Sequence, residues 1–219
     1  GLDLEQLKKD ALSSNFKPVP LKGIKMNAML SNDLSFSVSH NVGGIKVGSK
    51  RPDEYVLIIA HWDHLGKRES HSLTNDQIYN GAVDNATGVA GVIELANSFK
   101  NTALDRSLLF LAVTAEESGL LGSQYFAEYP PIDLSNIVAG YNFDGILPTG
   151  RTRDVVVVGY GASELENILE EELNELDMYI TPDPAPEKGF FYRSDHISFA
   201  KKGVPMLYAD GGVDILSLI

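Results

Sequence analysis

Tyr55-Val56-Leu57-Ile58-Ile59-Ala60 is a continuous apolar run, and it leads straight into His61-Trp62-Asp63-His64. A run of that length without alternation is what a strand buried on both faces requires, and strands of a parallel sheet covered by helices are buried that way. Downstream the period changes. Residues 84–100 place Val89, Val92, Ile93, Ala96 and Phe99 on one helical stripe. Residues 107–113 read as a second buried strand, and residues 119–129 as a helix stopped by Pro130-Pro131. Residues 137–143 read as a third strand and 154–158 as a fourth. An acidic amphipathic helix follows over 163–177, then a short helix over 194–202 and a fifth strand over 204–208. Parallel strands need crossovers, and helices supply them. The expected fold is α/β, a three-layer α/β/α sandwich around a mixed, mostly parallel sheet. Upstream, residues 2–13 read as a short amphipathic helix. Residues 21–29 and 34–40 alternate, and read as strands joined by the Ser31-Asn32-Asp33 turn, an antiparallel addition to the sheet edge.

The bulk composition bounds the function. The chain has 219 residues, which suits a single domain over 1–219 with a sizeable core. The net charge is −12, from 30 acidic and 18 basic residues, which argues against a nucleic-acid partner, since that needs a basic face. The longest apolar runs, such as residues 108–113, are of strand length and far below the roughly 20 residues of a membrane helix, so no membrane partner is expected. There are no cysteines. Any metal must therefore be held by His, Asp and Glu.

Ligands of open α/β sheets bind outside the carboxyl ends of the strands, so the residues after each strand carry the most weight. His61-Trp62-Asp63-His64 follows the first buried strand, Glu116-Glu117 the second and Asp144 the third, while Asn80-Gly81-Ala82-Val83-Asp84-Asn85 forms a loop that opens a helix. Singly, each has a structural explanation: a helix cap for Asp84-Asn85, a solvated pair for Glu116-Glu117. Together they bring an imidazole and several carboxylates to one sheet edge, where unpaired carboxylates would repel each other. A divalent cation removes that cost, and a two-metal site about 3.5–4 Å wide needs a carboxylate able to bridge. His61 suits a neutral imidazole ligand, and Asp63 a partner fixing its tautomer. Asp84, on a loop, can reach between two ions. One of the adjacent glutamates can bind metal while its neighbour faces the activated water as general base.

At these residues the chain resembles the zinc exopeptidase family of bacterial leucyl aminopeptidase and aminopeptidase Y, which are co-catalytic di-zinc metallopeptidases. The matching stretches are Ala60-His61-Trp62-Asp63, Gly81-Ala82-Val83-Asp84-Asn85-Ala86-Thr87-Gly88, Ala115-Glu116-Glu117-Ser118-Gly119-Leu120-Leu121-Gly122-Ser123, Asn142-Phe143-Asp144 and Arg193-Ser194-Asp195-His196. The resemblance implies a metallo-aminopeptidase that removes N-terminal residues from peptide substrates. It implies that His61, Asp84 and Asp144 hold one zinc, and that Asp84 and Glu117 hold a second. It further implies Glu116 as general base, Asp63 as the residue orienting His61, and a cis peptide bond at Asp84-Asn85. Asp195 and His196 would line the substrate pocket, with Phe190, Phe191 and Tyr192 as an apolar wall. It also implies a secreted or periplasmic protein whose longer relatives carry a protease-associated domain, and residues 1–20 resemble the segment that follows such a domain.

One departure stands out. The family's remaining ligand for the second zinc is a histidine in a Tyr-His pair beyond the last strand, and no such pair follows Tyr208. The expectation is a catalytic domain truncated at its C-terminus, with two Zn2+ in the intact protein and one or none here. The rival readings are a carboxypeptidase or glutaminyl cyclase of the same fold, or an inactive binding domain. Of other residues, Ser194-Asp195-His196 contains the types of a serine triad but as neighbours that cannot meet in triad geometry. Gly159-Tyr160-Gly161 reads as a strand-to-helix turn. His40 and His71 read as exposed, and His64 lies near the site without a role.

Overall fold

In a computed structural model that describes residues 2–67, 76–147 and 150–215, the opening apolar run lies inside a seven-stranded sheet. The strands are β1 (Val42–Lys46), β2 (Arg51–His61), β3 (Arg106–Val113), β4 (Ile137–Asn142), β5 (Asp154–Val157), β6 (Tyr179–Pro182) and β7 (Met206–Gly211), in the order β1-β3-β2-β4-β7-β5-β6. The helices are α1 (Leu4–Asp10), α2 (Ala86–Ser98), α3 (Leu121–Glu128), α4 (Leu165–Glu175) and α5 (His196–Ala200). β2 runs parallel to both its neighbours, β3 and β4, and β4 runs parallel to β7. β5 is antiparallel to β7 and parallel to β6.

The two faces of the sheet bury different helices. Leu57 and Ile59 of β2 are fully buried with Leu109, Leu111 and Val113 of β3, against Phe126 of α3, Phe199 of α5 and Met206. Each such side chain contributes about 1.5–3 kcal/mol by leaving water. The alternate residues face the other way, where Tyr141, Leu207 and Ala209 meet Leu165 and Leu169 of α4, and α2 packs on β2 and β3. This is the expected three-layer α/β/α arrangement. The crossover from β2 to β3 carries α2, and the crossover from β3 to β4 carries α3 over the opposite face. Successive strands thus leave β2 on opposite sides, and a crevice opens beyond its carboxyl end. His61 is the last residue of β2.

The chain divides into two compact units, up to residue 37 and from residue 38 onward. In the first, α1 is capped by the Asp3 side chain, which accepts from the Gln6 amide at 3.1 Å. The expected strands over 21–29 and 34–40 do not form. Every residue from 21 to 40 is exposed, so the alternation has no core to face, and a lone two-stranded hairpin is marginal in water. The antiparallel edge is β1 instead, with Val42 opposite Ala112 and Lys46 opposite Leu108. Its Gly43-Gly44 pair hides it from a propensity reading. β6 escapes the same reading because it is short and ends in Pro182, which an edge strand accommodates. His40 is exposed, and His71 lies outside the described residues. Among the described residues no helix is long and apolar enough to cross a membrane.

Candidate metal centre

The sheet edge gathers the residues the sequence singles out. His61 Nε2 lies 3.1 Å from Asp84 Oδ1 and 3.1 Å from Asp144 Oδ1. Asp84 comes from the loop before α2, and Asp144 follows the end of β4. On the far side of Asp84, His64 Nδ1 lies 2.7 Å from Glu117 Oε1 and 3.9 Å from Asp84 Oδ2. Two groups of ligand atoms result, His61-Asp84-Asp144 and His64-Asp84-Glu117, each with its atoms within 4.8 Å of one another. Asp84 belongs to both.

The first group fits a divalent cation on its own chemistry. His61 Nδ1 lies 3.1 Å from the backbone carbonyl oxygen of Asp63. That contact makes Nδ1 the protonated nitrogen, so in a neutral ring Nε2 presents a lone pair. Two carboxylate oxygens then face that lone pair at hydrogen-bond distance, three acceptors aimed at one point. Either a proton or a metal must sit between them. The titration behaviour says the same. Burial alone pulls the His61 imidazole down, but the hydrogen bond and charge of Asp144, with Glu116 and Asp195 behind it, outweigh burial and raise it to about 9. Burial, and then the charges of Asp195, Asp144 and Glu117, push Glu116 up to about 8 despite the opposing pull of His61. Burial raises Asp195 to about 7 and lowers His196 to about 4. The edge holds more negative charge than it can keep ionised by itself, which is the electrostatic demand a cation meets.

The side chains that hold this arrangement were not all legible in advance. Asp63 has its carboxylate 3.7 Å from His61 Nδ1, and that carboxylate accepts instead from the Glu116 amide at 3.0 Å and the Glu117 amide at 3.3 Å. Asp63 therefore orients His61 through its backbone and holds the Glu116-Glu117 turn through its side chain. Asn85, 2% exposed, is a second such clamp. Its Oδ1 accepts from the Gly88 amide at 3.0 Å, capping α2, and from the Gly145 amide at 3.1 Å, while its Nδ2 donates to the Phe143 carbonyl at 2.9 Å. It thus ties the residue after Asp84 to both neighbours of Asp144. The Asp84-Asn85 peptide bond is cis. Ser194 is the third. Its hydroxyl donates to Asp144 Oδ2 at 2.6 Å and accepts from Asn142 Nδ2 at 2.7 Å. Asn85 and Ser194 sit within the quoted sequence motifs, but only their tertiary partners show what they do.

The expected substrate-binding residues divide. Asp195 and His196 have no exposed surface, and His196 is enclosed by the Phe191 and Tyr208 rings, each 4.9 Å away between centroids. Phe191 is half-buried against Gly159, where any side chain would strike its ring. Phe190 and Tyr192 are exposed, and the Arg193 guanidinium lies 5.3 Å above the Phe190 ring. The Gly159-Tyr160-Gly161 turn joins β5 to α4 as expected. The buried Glu166 carboxylate accepts from the Gly161 and Ala162 amides at 2.8 and 3.2 Å, so those amides are already engaged within the chain.

The chain matches known proteins in sequence and in fold. The model of Peptidase family M28 matches residues 41–214. A "Probable zinc metalloprotease" of Pyrenophora tritici-repentis is 37% identical over 97 residues, covering 44% of this chain and 22% of the relative. Aminopeptidase YwaD of Bacillus subtilis is 29% identical over 131 residues, covering 54% of this chain and 26% of the relative. The chain thus spans about a quarter or less of the length of these relatives. The solved aminopeptidase from Aneurinibacillus sp. strain AM-1 shares the fold, with a TM-score of 0.62 at 23% identity over 80% of this chain and 39% of the other.

Proposed function

The chain belongs to peptidase family M28, and from that premise we propose that it is a metallo-aminopeptidase using two zinc ions at the edge formed by His61, Asp84, Glu117 and Asp144. The observation that carries this reading is the pair of ligand-atom groups sharing Asp84, with each Asp84 oxygen turned to a different imidazole. Bound zinc would supply Lewis acidity, lowering the pKa of water towards about 7 and polarising the scissile carbonyl. The remaining work falls to the chain. His61, Asp84 and Asp144 would hold one ion and Asp84 with Glu117 would bind the other. Glu116 is held beside them by the Asp63 clamp on its amide. Its carboxylate, ionised once bound cations offset the neighbouring negative charge, would take a proton from attacking water and return it to the leaving amine. The free amine of a substrate would be drawn to the surplus of carboxylates at the same edge.

The test is release of the N-terminal residue from aminoacyl anilides. Chelator should abolish it. Glu116→Gln should lower kcat by about 100- to 10,000-fold, the range of a general base, while the metal content stays unchanged. Activity that survives both treatments ends this reading. A carboxypeptidase would need a cation for the substrate carboxylate, and the sequence offers Arg193, whose guanidinium covers the Phe190 ring. Comparing N-blocked with C-blocked dipeptides separates the two activities, and cyclisation of an N-terminal glutamine tests the cyclase reading.

A further inference from the structure

Beside the His61 group lies a second group of ligand atoms, His64-Asp84-Glu117. The geometry points to a donor that the family resemblance leaves without a role: we infer that His64 Nδ1, together with Glu117 and the Oδ2 oxygen of Asp84, contributes to the second cation position. This rests on the metallopeptidase reading and adds to it a ligand that lies only three residues beyond His61.

Two observations support it. First, Asp84 divides its oxygens. Oδ1 lies 3.1 Å from His61 Nε2, and Oδ2 turns to His64 Nδ1 at 3.9 Å. A carboxylate that presents one oxygen to each of two imidazoles has the form of a bridge between two ions. Second, His64 Nδ1 and Glu117 Oε1 are 2.7 Å apart, yet both atoms are buried and neither makes a hydrogen bond. A proton shared along their line would satisfy both, and the angles do not allow it. Two buried acceptors that converge without a proton between them leave the geometry of ligands around a common third atom, and zinc takes imidazole nitrogen and carboxylate oxygen together. The bland alternative is an ordinary His-Glu ion pair, which the missing hydrogen bond argues against.

The position of His64 is built rather than incidental. A side chain at Gly81, whose φ is +64°, would come within 2.9 Å of His64 Cβ, so the Asp84 loop leaves room for this imidazole. The Tyr79 ring meets the imidazole edge-on at 6.2 Å. The ring is 20% exposed at its side chain, enough for exchange of an ion with solvent.

Equilibrium dialysis of the full chain against Co2+, with the bound metal counted by mass spectrometry, tests the inference independently of catalysis. The wild type should hold two ions per chain. His64→Ala and His64→Asn should keep the first, with the second weakened at least about 100-fold. The Co2+-loaded wild type should show two hyperfine-shifted, exchangeable imidazole N–H resonances, one from each histidine, and the variants should lose one. This signal is read on the wild type, so a variant that fails to fold does not remove the test. Two ions retained at unchanged affinity in His64→Ala, or a single imidazole resonance in the wild type, overturns the inference and leaves the aminopeptidase reading standing. A wild type that takes up no Co2+ at all overturns the metallopeptidase reading itself.

Discussion

Ser194→Ala removes one oxygen atom, yet it should damage both the fold and the metal centre. The hydroxyl donates to Asp144 Oδ2 at 2.6 Å and accepts from Asn142 Nδ2 at 2.7 Å. Ser194 is 2% exposed and Asn142 fully buried, so water does not replace either bond freely. A hydrogen bond to a charged group contributes about 1.5–3 kcal/mol, and a buried donor left without a partner costs about 1–3 kcal/mol. Asn142 is poorly placed to compensate, since its Oδ1 already lacks a partner. Together these give a loss of about 2.5–6 kcal/mol in the metal-free chain. The bond also fixes one oxygen of Asp144 while the other faces His61. Losing such support typically lowers metal affinity about 10- to 100-fold.

Urea unfolding in the presence of chelator reads the first quantity, and competition with a chromophoric chelator for Zn2+ reads the second. Asn142→Leu on top of Ser194→Ala should recover part of the stability, because removing both partners of a buried bond costs less than removing one. A Ser194→Ala chain within about 0.5 kcal/mol of wild type, the scatter of an ordinary surface substitution, would refute the Ser194 clamp as described.

Three further outcomes follow from the same geometry. Gly88→Ala should destabilise the chain by about 1–3 kcal/mol, the usual cost of overpacking, because its Cβ would collide with the pinned Asn85 amide. Calorimetry on the chelated protein would show it, and a variant as stable as wild type contradicts the clamp. Zn2+ at about 100 times its dissociation constant should stabilise the fold by about 2.7 kcal/mol, raising Tm by several degrees over the chelated chain, and no shift would mean that no site binds in the native state. In chelator, stability should fall as pH rises above 6.5, beyond the range between about 4 and 6.5 where the buried His196 acts in the opposite sense. His61 has a folded pKa of about 9 against an ordinary 6.5, so its contribution is complete below pH 6.5 and is lost as pH passes 9. Glu116, at about 8 against 4.5, and Asp195, at about 7 against 3.8, act with the same sign at lower pH. A metal-free Tm that climbs between pH 6.5 and 9 would contradict this.

The parts of the fold legible in the sequence were those that bury side chains on a fixed period. Residues 55–60 of β2 and 108–113 of β3 announce themselves because strands covered on both faces favour apolar residues, and α2 because Val89, Val92 and Ala96 turn inward, although Ile93 of the expected stripe is exposed. The misreadings came where hydrogen bonding decides and side chains do not. Residues 21–40 alternate without a core to meet, whereas β1 is held by backbone pairing with β3 in spite of two glycines. The site divides in the same way. That His61, Asp84, Glu117 and Asp144 meet could be expected because parallel topology brings the residues after successive strands to one edge. Asn85 and Ser194 work through contacts with residues about 50 to 60 positions away, and no local pattern encodes those.

His64 shows where motif reasoning and physical reasoning diverge. A motif assigns each role to a fixed place along the chain, so an imidazole in an unexpected place receives no role. The cation has no such preference: it responds to lone pairs within reach. Gly81, in a left-handed turn, leaves His64 and the Asp84 backbone in close approach, so that His64 would offer a donor just past the end of β2. The two imidazoles would then stand three residues apart on one segment, with Asp84 between them. Asn85, next to Asp84, holds the start of α2 to the loop carrying Asp144. Under this arrangement the Asn85 tie couples Asp84 to Asp144, and loosening it by Asn85→Ala should disturb both groups of ligand atoms together.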